Sequence, residues 1–346
     1  LAGVLAYFFT WRAPFVVFAI PTAIVVLFAL RLHEPVRGVH ERRAAGLDEE
    51  AALVEDPPET IRSTMATLAG VRTIRRVWLA IPFLGVALFG VPNLLSLVYE
   101  EVFGLDSMAR ARADTVVTQR WPHVTAKGDS LPLENVIARY NPAAEQRILF
   151  LAHWDTRPRA DGPRSTDSSV AVTGANDGAS GVALLLGVMD VLKRSPPPAS
   201  LGVDILFTDG EDYGDFVEPY TDVLLGARHY AANQLPGPKP LYAVLFDLVA
   251  DKDLQIYQEG NSVTGAPEVV SLVWEAARDL GYGRIFVDTP KHVLTDDHIE
   301  LQKAGIRAID VIDFTYGNNN SLWHTVDDTP DKLSAQSLQA VGDVMM

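Results

Sequence analysis

The stretch Val203–Gly214 reads VDILFTDGEDYG and joins a strand pattern to a cluster of carboxylates. Its first half is a short, mostly apolar run of the kind that forms buried strands. Asp209, Glu211 and Asp212 follow at once. Carboxylates this close repel one another unless a positive charge lies among them. The stretch therefore predicts a strand that ends beside a bound cation.

Three further stretches share the strand pattern, and helical stretches separate them. The predicted strands are 148–152 (ILFLA), 203–207 (VDILF), 242–246 (YAVLF) and 308–312 (AIDVI). The predicted helices are Ser180–Lys193, Leu224–Asn233, Glu268–Leu280 and Ser334–Val344. Alternating strands and helices favour an α/β fold, in which helices cover both faces of a sheet. Ligands bind such sheets beyond the carboxyl ends of the strands.

Polar residues follow these strands or lie in loops that precede helices. They are His153, Asp247, Asp177 in GANDG (174–178), Asp296, Asp297 and His298 in TDDH (295–298), and His324 in NNNSLWHTVDD (318–328). Taken singly, an Asp or Asn here is explained by a turn or a helix cap. Taken together, the imidazole and carboxylate groups are the ligands that suit zinc where no thiolate is available. In the pair Glu211–Asp212, one side chain can bind the metal while the other acts on the substrate.

Composition excludes several classes of function. The chain has 346 residues, a formal net charge of −15 and an isoelectric point of about 4.9. A chain this acidic lacks the clustered Lys and Arg that bind phosphate backbones, so we expect no nucleic-acid partner. The absence of cysteine excludes disulfides, thiolate zinc sites and cysteine nucleophiles. Any metal must be held by His, Asp and Glu.

The first part of the chain has a different composition. Residues 1–31 are almost entirely apolar, and residues 77–99 carry no charge for 23 positions. About 20 apolar residues span a bilayer, so both stretches are predicted as transmembrane helices, with a buried core helix as the alternative for the shorter run 14–30. The loop 32–76 between them is rich in arginine, which marks the cytoplasmic side of a membrane. The chain after residue 99 would then face the extracytoplasmic side.

Residues 1–110 resemble the middle of a major facilitator superfamily transporter. The stretches TWRAPFVVFAIP, LHEPVRG and YEEVFGLDSMARAR carry this resemblance. A transporter of this kind is built from two repeated multi-helix halves, whereas two full spans and a piece of a third are visible here, so we infer no transport activity. Residues 100–112 form the predicted junction to a second domain, 113–346.

Residues 113–346 resemble the zinc aminopeptidase family, and most closely its glutaminyl-peptide cyclotransferase (glutaminyl cyclase) branch. Six motifs carry the resemblance in order: AHWD, GANDGASG, FTDGEDYG, LFDLV, DDHI and WHTVDD. The resemblance implies an α/β fold with a mixed, mostly parallel twisted sheet flanked by helices. It also implies a zinc enzyme that acts on the N-termini of peptides or proteins.

The resemblance implies a metal role for five residues. Asp177, Asp212 and His324 would hold one zinc. His153 and Asp247 match positions that complete a second metal site in the two-metal aminopeptidases. Asp212 stands where the best-known members have Glu, and the shorter side chain requires the backbone to lie closer to the metal.

The resemblance also implies which residues act on the substrate. Glu211 would be the general acid and base, supported by Asp247. Asp296 would lie near the substrate amine, with Asp297 as the adjacent candidate. Trp323 would line the pocket for the glutamine side chain.

Three functions and two origins stay open at this point. The functions are a cyclase with one zinc, an aminopeptidase with two, and a non-catalytic tethered module. The opening segment usual in the family is missing before residue 113, which predicts a fragment or a join of two genes, with a genuine fusion as the alternative. A genuine fusion would be anchored in a membrane with its catalytic domain on the extracytoplasmic side. Otherwise the domain would be secreted or periplasmic.

Overall fold

A computed structural model describes residues 39–54, 60, 62, 63, 65, 69, 104–162, 164, 165, 168–217 and 219–346. No helix within these residues is both long enough and apolar enough to cross a bilayer. The apolar runs 1–31 and 77–99, with most of the loop between them, lie outside the described residues. The predicted membrane anchor and extracytoplasmic location therefore stay predictions, and no finding supports the transporter resemblance.

The chain divides into two compact units, Leu1–Val91 and Pro92–Met346. Within the first unit, the described part contains the short helices α1 (Val39–Ala44) and α2 (Glu49–Ala52). The carboxylate of Asp48 accepts the backbone N–H of Ala51 at 2.8 Å, which caps the start of α2.

A mixed six-stranded sheet forms the centre of the second unit. The strands along the chain are β1 (Thr115–Val124), β2 (Ser130–Tyr140), β3 (Gln146–His153), β4 (Leu201–Thr208), β5 (Ala243–Asp247), β6 (Ile256–Gln258), β7 (Phe286–Pro290) and β8 (Ala308–Ile312). The large sheet has the order β1-β2-β4-β3-β5-β8, and β6 and β7 form a separate parallel pair. Strands β4, β3, β5 and β8 run parallel, whereas β1 and β2 pair antiparallel at one edge. The predicted mixed α/β sheet is confirmed.

Helices cover both faces of this sheet. They are α3 (Leu105–Arg110), α4 (Ala179–Arg194), α5 (Leu225–Ala232), α6 (Gly260–Gly265), α7 (Pro267–Asp279), α8 (Asp297–Lys303) and α9 (Ala335–Met345), with a 3₁₀ turn at Pro330–Lys332. Alternate residues of β3 separate the two faces: Phe150 packs in the larger core with α4, α7 and α9, and Leu149 and Leu151 pack in the smaller core with α5 and α8. This alternation explains why the central strands read as continuous apolar runs.

The four predicted strands and four predicted helices are present, with ends shifted by at most two residues. The sequence interpretation missed β1 and β2, since β1 alternates between exposed and half-buried positions and has no continuous apolar run. It also missed α3, which lies in the predicted junction 100–112 and buries Ala109 in the larger core.

Candidate active site

The site lies at the carboxyl ends of the parallel strands. β3 ends at His153, and β5 ends at Asp247. β4 ends at Thr208, and the turn that follows carries Glu211 and Asp212. Since β4, β3 and β5 are neighbours in the sheet, the chain folds these side chains against one another.

Asp177, Asp212 and His324 form a first group of potential metal ligands, and all three are buried. Their ligand atoms lie within 4.8 Å of one another. Nε2 of His324 is 3.0 Å from Oδ1 of Asp212 and 3.5 Å from Oδ2 of Asp177. The structure thus brings together the three residues expected to hold one zinc.

A second group shares Asp177 with the first. Nε2 of His153 lies 3.3 Å from Oδ1 of Asp177 and 3.3 Å from Oδ1 of Asp247. Like the first group, its ligand atoms all fall within 4.8 Å. The arrangement therefore offers places for one or two cations, joined by the carboxylate of Asp177.

The donor atoms fit a divalent cation. Both oxygens of Asp212 and Oδ2 of Asp177 are buried and accept no hydrogen bond from any described residue. A buried carboxylate oxygen without a partner is costly, and a metal ion would satisfy it. Imidazole and carboxylate ligands, with no thiolate, suit zinc and other divalent ions.

Backbone contacts fix the loop that presents Asp177. The carboxylate of the fully buried Asp328 accepts the N–H groups of Asn176 at 2.8 Å and Asp177 at 3.2 Å. Gly178 follows with a φ of 90°, and a Cβ at this position would lie 2.5 Å from the carbonyl oxygen of Asp155. Glycine is required there because the backbone has a positive φ and lies close to Asp155 just before α4 begins.

Asp155 orients the turn that carries the acidic pair. Its Oδ1 accepts the N–H of Glu211 at 3.1 Å, and its Oδ2 accepts the N–H of Asp212 at 3.0 Å. Oδ1 also lies 3.6 Å from Nδ1 of His153. One carboxylate therefore sets the positions of residues in both ligand groups and of the predicted acid/base.

The electrostatics of the site favour proton transfer by Glu211. Burial, and next the charge of Asp296, raise the pKa of Glu211 well above its usual range. Burial likewise raises the pKa of Asp247 to about 7 and that of Asp297 to about 8. A cluster of buried carboxylates with raised pKa values is typical of a functional site and stabilises a cation placed among them.

A cavity of about 190 Å³ opens onto these groups. Its polar floor consists of Asp177, Glu211, Asp212, Asp247, Asp296 and His324. Its walls consist of Phe216, Tyr220, Val293, Leu294, Thr295, Ile312, Phe314 and Trp323. The Trp323 ring stacks on the His324 imidazole with centroids 3.6 Å apart and meets Phe314 edge-on at 5.3 Å.

Asp297 does not reach this cavity. Its side chain is fully buried and accepts the hydroxyl of Thr208 at 2.5 Å. Asp296 lines the cavity and also accepts the N–H of Asp297 at 2.6 Å, which caps α8. The geometry therefore favours Asp296 over Asp297 as the group nearest a substrate.

The sequence interpretation assigned no role to several residues that shape the site. Asp155 and Arg157 follow His153 within a few positions, and Asp161 faces His324. Phe216 and Tyr220 lie on a turn closed by the bridge between Asp215 and Thr221. The stretch 153–157 (HWDTR) carries the signal for the first two, because charged residues directly after a ligand at a strand end are placed to contact the site.

Comparison with known proteins identifies the family. The sequence profile of Peptidase family M28 matches residues 135–346. The glutaminyl-peptide cyclotransferase of Drosophila melanogaster is 24% identical over 237 residues, and the match spans 62% of this chain and 63% of that protein.

Two solved structures share the fold of the second unit. The structure of Bacteroides thetaiotaomicron glutaminyl cyclase bound to N-acetylhistamine is 34% identical, with a TM-score of 0.66, over 70% of this chain and 85% of that chain. A Zn-dependent exopeptidase from Parabacteroides distasonis is 33% identical, with a TM-score of 0.65, over 70% of this chain and 85% of that one. The expectation of a zinc-dependent enzyme family is confirmed. The chain belongs to Peptidase family M28.

Proposed function

We propose that residues 113–346 form a zinc-dependent glutaminyl-peptide cyclotransferase, which converts an N-terminal glutamine to pyroglutamate and releases ammonia. The observation that carries this proposal is the cavity of about 190 Å³, in which an aromatic wall adjoins Glu211 and the ligands Asp177, Asp212 and His324. A cavity of this size suits one terminal residue of a peptide. The resemblance to glutaminyl cyclases supports the same activity.

Asp177, Asp212 and His324 would hold the zinc. When bound there, zinc supplies Lewis-acid polarisation of the side-chain amide carbonyl of the substrate. Trp323 and Phe314 hold the aliphatic part of the glutamine side chain and exclude water from one side of it.

Glu211 performs the proton transfers. The α-amine of the substrate attacks the side-chain amide carbon, a new C–N bond closes the ring, and the bond to the amide nitrogen breaks. Glu211 takes a proton from the attacking amine and gives it to the departing ammonia. Burial raises its pKa, which suits a carboxyl group that must both accept and release a proton.

Asp296 and Asp247 position the amine. Both line the cavity floor, and both are buried. Both also line the same cavity as Glu211, and the charge of Asp296 raises the pKa of Glu211. We assign Asp296 to orientation of the amine and Asp247 to support of the proton transfer.

The second candidate function is a two-metal aminopeptidase. The group of His153, Asp177 and Asp247 favours it because these residues supply a second set of ligand atoms. Glu211 would then deprotonate a water molecule that attacks the first peptide bond. The exopeptidase among the similar structures supports this alternative.

One experiment separates these functions. The full chain, purified with zinc, is incubated with a peptide that begins with glutamine, beside the Glu211→Gln variant, and the products are followed by mass. Loss of ammonia from an otherwise whole peptide, absent in the variant, supports the cyclase. Release of a free amino acid supports the aminopeptidase. The zinc content per chain shows independently whether one metal site or two are occupied.

A non-catalytic module gives a different result in the same preparation. Neither product would form, although the chain is folded and holds zinc. Thermal unfolding with and without a chelator verifies the metal, because a site that binds zinc only in the folded state raises the melting temperature.

A further inference from the structure

The buried Arg157 and the partly exposed Asp161 form an ion pair beside the metal ligands. Arg157 is only 3% exposed. Its Nε lies 3.0 Å from Oδ1 of Asp161, and its Nη2 lies 2.5 Å from Oδ2. A two-point contact of this kind fixes both side chains in one geometry. We name it the Arg157–Asp161 bridge.

The arginine end of the bridge holds the turn after Glu211. Nη1 of Arg157 donates to the carbonyl oxygens of Asp212 at 2.7 Å and Gly214 at 2.8 Å. The same nitrogen lies 3.6 Å from Oδ1 of Asp212. Asp212 has a short side chain, so its reach toward a metal depends on where its backbone is held, and Arg157 holds that backbone.

The aspartate end of the bridge faces His324. Oδ1 of Asp161 is 3.2 Å from Nδ1 of His324, on the side of the ring opposite the nitrogen that faces Asp177 and Asp212. A carboxylate at Nδ1 keeps the proton on that nitrogen and leaves Nε2 free to bind metal.

The backbone beside Asp161 reinforces this contact. The N–H of Gly162 donates to the carbonyl oxygen of His324 at 2.9 Å, and the hydroxyl of Ser165 donates to the same oxygen at 3.2 Å. His324 adopts a φ of 55°, which is costly for a residue with a side chain. The segment that carries Asp161 therefore holds His324 in a conformation that it would not otherwise keep.

We propose that the Arg157–Asp161 bridge is the positioning element of the metal site, which fixes the ring orientation of His324 and the backbone of Asp212 together. Arg157 and Asp161 are positioning residues, since they contact the ligands Asp212 and His324 and neither lines the cavity. This inference rests on the metal site in the proposed function.

The test measures zinc affinity of the full chain by competition with a chromogenic chelator. Asp161→Asn removes the charge that pairs with Arg157 and His324 and keeps the shape. Arg157→Lys keeps the charge but cannot reach Asp161 and two carbonyl oxygens at once. We expect each variant to bind zinc about tenfold to a hundredfold more weakly than the unmodified chain.

Asp190→Asn is the matched control, because Asp190 also pairs with an arginine, Arg112 at 2.9 Å, but lies on α4 and does not line the cavity. It should bind zinc like the unmodified chain.

An Asp161→Asn variant with unchanged zinc affinity would overturn the proposal, even if its metal-free melting temperature falls, because a merely structural role predicts that result. If Arg157→Lys does not fold, the zinc affinity of Asp161→Asn alone decides the test. A lack of zinc binding by the unmodified chain would overturn the metal site itself, a separate outcome.

Discussion

Asp155 accepts the backbone N–H of Asp212 at 3.0 Å, so the main chain of an expected metal ligand is held in place while both of its side-chain oxygens stay available. The other oxygen of Asp155 accepts the N–H of Glu211 at 3.1 Å. Adjacent residues with fixed backbones direct their side chains differently, and this separates the role of ligand from the role of acid and base. The two roles should therefore be separable by substitution.

Glu211→Gln should abolish most activity and retain zinc. The amide has the size of the carboxylate but cannot accept the proton of the attacking amine. We expect turnover to fall by roughly 100-fold to 10,000-fold, the usual contribution of a positioned acid or base. Steady-state kinetics and zinc content of the same preparation measure the two effects.

The control for this change is Glu268→Gln, which alters a half-exposed glutamate paired with Arg307 on the surface. Its activity should match that of the unmodified chain. Loss of zinc from Glu211→Gln would show that Glu211 is a ligand, contrary to the assignment.

Asp296→Asn and Asp297→Asn should differ although the residues are adjacent. Asp296 lines the cavity, so removal of its charge should lower turnover by about tenfold or more. Burial raises the pKa of Asp297 to about 8, so this group is mostly neutral at pH 7, and asparagine can still accept the Thr208 hydroxyl. We expect Asp297→Asn to keep most activity. Equal losses in the two variants would contradict the assignment of Asp296 alone to the substrate.

Gly162→Ala should weaken the metal site without touching a ligand. A Cβ at Gly162 would collide with the carbonyl oxygen of Trp323 and lie 3.0 Å from that of His324. The backbone of His324 must then move, so both the melting temperature and the zinc affinity should fall.

Gly187→Ala provides the comparison. Gly187 lies within α4, and a Cβ there meets no atom of the described residues within 4 Å. Alanine is favoured over glycine in a helix by about 1 kcal/mol, so this variant should be as stable as the unmodified chain or more so. A Gly162→Ala variant with the same melting temperature as Gly187→Ala would refute the predicted collision.

Glu259 should contribute stability that is lost in acid. Burial alone would raise its pKa, but the contact with His298, 3.2 Å from Nε2 to Oε2, and hydrogen bonds from the N–H groups of Asn261 and Leu294 lower the pKa to about 2, from 4.5. A carboxylate with a lowered pKa in the folded state stabilises the fold above its unfolded pKa. That stability declines as the pH falls from about 4.5 toward 2.

Urea unfolding of the metal-free chain checks this expectation. The difference in unfolding free energy between the unmodified chain and Glu259→Gln should shrink as the pH is lowered from about 5 to 3. Glu275→Gln, an exposed change on α7, serves as the control. A difference that stays constant over this range would contradict the prediction.

The sequence predicts the central strands and the polar residues at their ends for the same physical reason. Strands buried on both faces leave continuous apolar runs, and the polar residue that ends each run marks the functional edge of the sheet. His153, Glu211 and Asp247 are recognisable in this way. The antiparallel strands β1 and β2 are not. β1 is a half-exposed edge strand with a weak apolar pattern, and β2, although mostly buried, has polar residues between its apolar ones.

Residues that act through tertiary contacts were beyond prediction. Asp161 faces His324, and Arg157 reaches Asp212, across large separations along the chain. Such partners become visible only when the sheet has brought the loops together. The same holds for Asp297. It follows Asp296 directly in the sequence, but at the start of α8 its side chain is turned inward.

The stacking of Trp323 on its neighbour His324 has a consequence for how substrate scope can diversify in this fold. One wall of the cavity is a direct chain neighbour of a metal ligand, so any change in shape there is transmitted to the metal. Other residues that line the cavity, such as Tyr220 and the highly exposed Val293, belong to neither group of potential ligands. New specificities, whether in nature or by design, should accumulate at Tyr220 and Val293 and leave Trp323 unchanged.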